Sequence, residues 1–380
     1  MAAMKQPQRV AIVHDWFTGM RGGEKCVEAL CEVFPQASLF SLVHVKGSVS
    51  PIIEGRPIQT SFIQNLPLAS THYRHYLPLF PRAVEQFDLR GYEIVISSSH
   101  CVAKGVRTAP GTLHICYCYT PMRYIWGLHD EYFAKGRAGL LTRFGMGMFV
   151  DYLRRWDVRT AQNPHCFVAI SEHVRQRIAQ TYQRTADVIF PPVDADLFQI
   201  STRDDGYYLI VSALVPYKRI DLAIDAFNET GDRLVIIGSG PDAGRLRQRA
   251  RSNTEFKGWQ SNDQLKQYYA GCRALIFPGE EDFGIVPLEA MASGKPVIAY
   301  SRGGALETVI ATPECTTGIL FETQTVDAMN AALEKFKHTT FNPDLLRAHA
   351  LKFDRRVFKH RMSEYVERKW EEFVARFPQP

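Results

Sequence analysis

Two glutamates eight positions apart, Glu281 and Glu289, frame the string EEDFGIVPLEAMASGKPVIA, which follows an apolar run ending at Pro278. One acid in a loop and one on the following helix can accept hydrogen bonds from different hydroxyls of a single ligand. Pro287 suits the first helical position and Gly294 a C-terminal stop, so Glu289 is expected in the first helical turn. Between the acids, Phe283, Gly284 and Ile285 can aim backbone amides at an anion near the helix start. Each acid has a plainer role when taken alone, Glu289 complementing the helix dipole and Glu281 standing in solvent. The whole string argues for a ligand.

Two glycine-rich loops have related chemistry. In Asp15-Trp16-Phe17-Thr18-Gly19-Met20-Arg21-Gly22-Gly23-Glu24, Gly22 and Gly23 let the backbone approach a diphosphate or a sugar and open a helix. An ordinary glycine turn explains that loop equally. Gly238-Ser239-Gly240-Pro241-Asp242-Ala243 fits the loose G-x-G-x-x-[GA] pattern of dinucleotide sites. That reading also asks for an acid ending the next strand. Here the next run, Glu255-Phe256-Lys257-Gly258-Trp259, has its acid at the start instead. A glycine loop near a nucleotide remains, and a dehydrogenase rests on this loop alone.

The elements that must position these loops are strands alternating with helices. Arg9 to His14, Glu93 to Ser98, Leu113 to Tyr119 and Cys166 to Ile170 read as buried strands, as do Tyr208 to Ser212, Arg233 to Gly238, Arg273 to Pro278 and Pro296 to Tyr300. Near-continuous apolar strands separated by helices predict parallel sheets covered on both faces, an α/β fold. Phe190-Pro191-Pro192-Val193-Asp194 and the polar run to Gly206 mark a boundary. The expected domains are residues 1–190, with a last helix of about 361–380 returning to them, and residues 191–360. Both are expected to be Rossmann-like and doubly wound, facing a cleft, with ligands beyond the carboxyl ends of the strands.

Composition sets outer limits. The 380 residues are 46% apolar and 22% charged with net charge +5, which fits globular domains and gives no case for nucleic acid. No apolar run reaches transmembrane length. Asp15 and His14 interrupt the first apolar run, so it reads as a strand and not a signal peptide. Eight cysteines, none in C-x-x-C, read as buried thiols of a cytoplasmic protein, and no metal site is expected.

The string around Glu281 resembles the E-x7-E motif of retaining family 4 glycosyltransferases of the GT-B fold. The likeness extends to the Gly22-Gly23 loop, PPVDADLF, SALVPYKRIDLAIDAF, IIGSGP and FKGW. ICYCYTPMRYIW and VPYKRID are similar to bacterial O-antigen and exopolysaccharide mannosyltransferases. The resemblance implies sugar transfer from a nucleotide sugar, GDP-mannose, to a lipid-linked or saccharide acceptor in cell-surface polysaccharide synthesis. Glu281 would then hold donor-sugar hydroxyls, Glu289 the ribose, and Lys218 the diphosphate leaving group. Arg219, Gly238, Ser239, Gly240, Gly258 and Trp259 would line the nucleotide, with the backbone of Phe283, Gly284 and Ile285 against sugar and phosphate. Gly22 and Gly23 would sit by the diphosphate and acceptor, with Asp15 and Arg123 on the acceptor side. No cofactor or metal is implied, and Asp194-Ala195-Asp196 reads as a turn and helix cap.

Two positions depart from the family pattern. Ala213 stands where an arginine is common, so Arg219 or Arg302 would have to supply the charge. Tyr119 stands where a histidine is common, leaving it a hydrogen-bond donor to the sugar and removing a proton carrier. An isomerase acting on the nucleotide sugar, or an inactive nucleotide-sugar-binding subunit, are the alternatives. Thr71 to Arg82 and Leu140 to Arg155 mix aromatics with bases, which suits either peripheral contact with the inner face of a membrane or ordinary amphipathic helices.

Overall fold

The computed structural model describes residues 9–126, 140–312 and 316–377. Contacts divide the chain into a first unit, up to Pro192 and again from Phe358, and a second unit, Val193–Val357.

The first unit is built on seven parallel strands: β1 (Val10–His14), β2 (Ser38–Ser41), β3 (Ile58–Thr60), β4 (Ile94–Ser99), β5 (Leu113–Cys118), β6 (Cys166–Ala169) and β7 (Ala186–Val188). Their spatial order is β3-β2-β1-β4-β5-β6-β7. Every residue of β1, β4 and β5 is buried, because helices cover both faces of the sheet. Ile12 lies opposite Leu39 on one side and Ile96 on the other. The second unit has six parallel strands: β8 (Tyr207–Val211), β9 (Arg233–Ile237), β10 (Thr254–Gly258), β11 (Cys272–Phe277), β12 (Val297–Tyr300) and β13 (Gly318–Phe321). Their order is β10-β9-β8-β11-β12-β13.

Both sheets reverse direction at one place. The chain winds outward from β1 to β3, then returns to lay β4 on the other side of β1, and β8 and β11 repeat the pattern. Loops leaving the carboxyl ends at such a point diverge and open a crevice, which is where this architecture holds ligands.

All eight strands expected from the sequence are present within a residue or two at each end. The short strands β2, β3, β7 and β13 were not anticipated, and β10 matches the run Glu255 to Trp259 that stood where a next strand was sought. Runs of three or four residues are too short to show a period. From Phe358 onward the helix Arg355–Arg376 packs on the first unit: Phe358 stacks edge-on to Tyr117 at 5.6 Å, and the Tyr365 hydroxyl donates to Asp187 at 3.0 Å.

One buried ion pair braces the first unit. Lys104, 1% exposed, pairs with Asp157, which is fully buried and also accepts from Trp126 Nε1 and the Tyr182 hydroxyl, each at 2.8 Å. The seven described cysteines are free thiols, six of them buried, and Cys315 lies outside the described residues. Of Leu140 to Arg155, Val150 and Leu153 are buried and Tyr152 is exposed, while the side chains of 140–148 lie outside the description. Among the described residues no helix is long and apolar enough to cross a membrane.

Candidate functional site

The switch point of the second sheet carries most of the predicted residues. After β8 the chain makes a 3-10 turn over Pro216–Lys218 and then passes Arg219 in the left-handed region, φ 50°. After β11 it runs through Gly279 to Glu281. A Cβ on Gly279 would come within 2.8 Å of the Lys218 Cα, so these two loops touch backbone to backbone. That approach brings the Lys218 ammonium onto the Glu281 carboxylate as a partly buried ion pair.

The glutamate loop is clamped from its far side. Gly304 donates its N–H to the Glu281 carbonyl at 2.8 Å, and a Cβ there would lie 2.2 Å from the Phe283 Cα. The Phe283 ring is itself core, 3% exposed and 5.8 Å from Phe353, so only its backbone remains for a ligand. The helix that follows, Ile285–Ala292, starts behind Gly284 at φ 102°. This places Pro287 third in the helix, not first, and moves Glu289 into the second turn. Pro287 is still tolerated, because the first turn has free N–H groups. Glu289 accepts the Tyr269 hydroxyl at 2.9 Å, which fixes its orientation. Burial, then the neighbouring Glu289 charge, push the Tyr269 phenol well above its usual range, so it stays a donor.

The glycine loop after β9 has a structural task first. A Cβ on Gly238 would stand 1.8 Å from the Ser212 carbonyl oxygen, and one on Gly240 would stand 2.3 Å from that of Leu214. These glycines let the loop lie on the backbone leaving β8; Ser239 between them is exposed. Gly258, at φ 70°, ends β10 and presents Trp259, 77% exposed. Arg219 is held by Asp221 at 3.3 Å and Gln324 at 3.2 Å, while Arg302 is exposed. Against the helix cap expected from the sequence, the Asp194 side chain makes no capping hydrogen bond to its short helix. It accepts from Arg355 at 2.7 Å, and Asp196 pairs with Arg356 at 3.1 Å, so the two acids answer two arginines.

The switch point of the first sheet corrects two expectations. Asp15, just past β1, is fully buried and accepts four backbone N–H groups, from His100, Cys101, Val102 and Ala103, at 2.7–3.0 Å. Its oxygens are committed to the loop after β4, so it does not meet a ligand directly. Burial raises its carboxyl pKa, but the His100 charge and hydrogen bonds, with His14, outweigh that and hold it well below the carboxylate range. Tyr119 is committed too. Its hydroxyl donates to the Gly23 carbonyl at 3.0 Å and lies 2.7 Å from Ser98 Oγ, which leaves no proton for a sugar. Gly22 and Gly23 open the helix Gly22–Val33, and a Cβ on Gly23 would press on the His14 ring at 3.2 Å. The Arg21 N–H donates to Glu24 at 3.1 Å, so a carboxylate already occupies that helix start. Arg123 begins the short helix Arg123–Trp126.

His100 is the residue that sequence reading passed over. It sits one position beyond β4 with no motif around it, and only the strand order marks its place.

Residues 194–350 match the family model of the glycosyl transferases group 1. Over 282 residues the chain is 27% identical to the alpha-1,3/1,6-mannosyltransferase ALG2 of Kluyveromyces lactis, covering 60% of this chain and 53% of that protein. Over 196 residues it is 30% identical to the GDP-mannose-dependent alpha-(1-6)-phosphatidylinositol monomannoside mannosyltransferase of Mycobacterium tuberculosis, 43% of this chain and 50% of that one. The chain spans about half the length of the curated relatives it matches. Among solved structures, Anabaena HepE in complex with UDP and glucose superposes with TM-score 0.68 at 17% identity, over 94% of this chain and 99% of that one. Sucrose-phosphate synthase from Thermosynechococcus elongatus gives 0.71 at 16%, over 96% and 100%. The two Rossmann-like parallel-sheet domains thus have GT-B structural neighbours, and residues 194–350 are similar in sequence to the glycosyl transferases of group 1.

Proposed function

We propose that this chain is a retaining glycosyltransferase of family 4 that moves mannose from GDP-mannose to a lipid-linked or saccharide acceptor in cell-surface polysaccharide synthesis. The observation that carries the proposal is the Lys218–Glu281 pair at the switch point of the second sheet, inside the segment matching the glycosyl transferases. Relatives whose names specify mannosyl transfer support mannose as the sugar.

The chemistry follows from the charges. As the bond from the sugar carbon to the diphosphate breaks, negative charge grows on the leaving oxygen, and the Lys218 ammonium is already positioned to offset it. Glu281 pairs with that ammonium and accepts sugar hydroxyls on its remaining lone pairs. Glu289, oriented by Tyr269, accepts from the ribose, and the amides at the start of the helix Ile285–Ala292 face phosphate oxygens. Trp259 offers an exposed indole face to the base. The leaving phosphate accepts the proton of the incoming hydroxyl, so the protein needs neither a metal nor a separate base. Lys218 balances charge at the phosphate, and Arg219 stays with Asp221 and Gln324. Exposed Leu68, Leu79 and Arg82 suit peripheral contact with the inner face of a membrane near a lipid-linked acceptor.

A thermal-stabilisation screen of GDP- and UDP-sugars tests the reading, because a bound donor raises the unfolding temperature according to its affinity. GDP-mannose is expected to stabilise most and to be consumed in the presence of EDTA. Stabilisation by no nucleotide sugar would sink the proposal.

A further inference from the structure

His100 and Asp15 form a pair at the switch point of the first sheet. Asp15 follows β1 and His100 follows β4, the two strands whose onward connections diverge. His100 Nδ1 lies 3.0 Å from Asp15 Oδ2. A carboxylate offers about four lone-pair sites, and this one already meets four backbone N–H groups besides the ring. Asp15 therefore acts on anything outside the protein only through His100.

That contact settles which ring nitrogen holds the proton. The carboxylate accepts from Nδ1–H, which leaves Nε2 as the ring atom able to hydrogen-bond outside the protein. Nε2 has no hydrogen-bond partner among the described residues. The neighbours are closed in: His14 is 1% exposed and lies against Ser98, Trp16 is 3% exposed and edges onto the His100 ring at 4.5 Å, and Tyr119 is turned to Gly23. The His100 side chain keeps 29% of its surface exposed. Of this polar group, it is the one with both an outward face and an unused ring nitrogen.

Four backbone donors thus hold the carboxylate that in turn fixes one partly exposed imidazole. Such rigid second-layer support is how binding groups are held to a narrow geometry. We propose that His100, oriented by Asp15, is the saccharide-binding residue of the first unit, its Nε2 hydrogen-bonded to an acceptor-sugar hydroxyl. This rests on the glycosyl-transfer reading above. It gives the first unit a hydroxyl contact where Tyr119, the residue the sequence pointed to, has none to spare. Asp15 is a positioning residue for it.

The test compares unaltered protein with His100→Ala, His100→Asn and Asp15→Asn. Release of nucleoside diphosphate from GDP-mannose and UDP-glucose is followed with methyl α-mannoside as the acceptor probe, and GDP and UDP binding are measured by calorimetry. His100→Ala is expected to lower turnover about ten- to hundredfold, the worth of one hydrogen bond to substrate, chiefly through the acceptor KM. Its nucleotide affinity should stay within about twofold of the unaltered protein's, as expected when the lost contact is to the acceptor alone. His100→Asn, which can still hydrogen-bond to a hydroxyl, should recover part of the loss. Asp15→Asn should change the pH–rate profile, since the tautomer is no longer held. Nucleotide binding with undiminished turnover in His100→Ala overturns this inference and leaves the transfer reading standing. Neither binding nor turnover in the unaltered protein removes both.

Discussion

The Lys218 ammonium is paired with the Glu281 carboxylate across β8 and β11, the two strands at which the second sheet changes winding direction. Both side chains are mostly covered, 14% and 22% exposed, so removing either partner leaves the other's charge poorly compensated. On the proposed reading, an ion pair in that position would keep a cation ready for a phosphate.

Removing either partner should therefore be costly to activity. Lys218→Ala and Glu281→Ala are each expected to reduce transfer by about a hundredfold or more, the usual loss when a preorganised electrostatic contact disappears. Turnover of GDP-mannose measures this, and a variant working at the unaltered rate would contradict the assignment.

The glycine loop after β9 makes a stability prediction separate from any ligand. Gly238→Ala must fit a Cβ 1.8 Å from a backbone oxygen at φ 132°, and should cost on the order of 2 kcal/mol or more. Gly244→Ala, in the helix Ala243–Arg249 with open space around it, should be neutral or stabilising by up to about 1 kcal/mol. Urea unfolding of the two variants separates steric demand from general sensitivity to alanine.

Buried histidines set an acid limit. Burial, then the charge on His165, pushes His114 down to about 3, and its Nδ1 has no partner among the described residues. The unfolded chain takes up a proton near pH 6.5, whereas the folded chain refuses it until about pH 3. Stability from this group is therefore complete above pH 6.5 and falls by up to about 1.4 kcal/mol per unit as the pH drops toward 3. His349 shifts in the same direction through burial and adds to the slope. Unfolding free energies at pH 7, 6 and 5 should decline, and His114→Asn should flatten the decline.

The Lys104–Asp157 pair predicts an asymmetry. Lys104→Met leaves a buried carboxylate whose remaining side-chain donors among the described residues are Trp126 and Tyr182, and should cost about 3–5 kcal/mol. Lys104→Met with Asp157→Leu should recover much of that in chemical denaturation, since no charge is then stranded.

Local sequence was sufficient for much of this molecule. The long buried strands, the Pro192 boundary region and the Glu281–Glu289 string are legible because apolar runs, prolines and glycines act within a few residues of themselves. Strand order is different, since it arises from which edges pair after the helices have packed, and no local pattern encodes it. That order brings Lys218 to Glu281 and His100 to Asp15, each pair joining residues far apart in the chain. It also turned the Tyr119 hydroxyl to Gly23 and buried Asp15 beneath the loop after β4. Residue type announced what chemistry was available; the pairing of parallel strands decided which groups face a ligand and which are used up inside the fold.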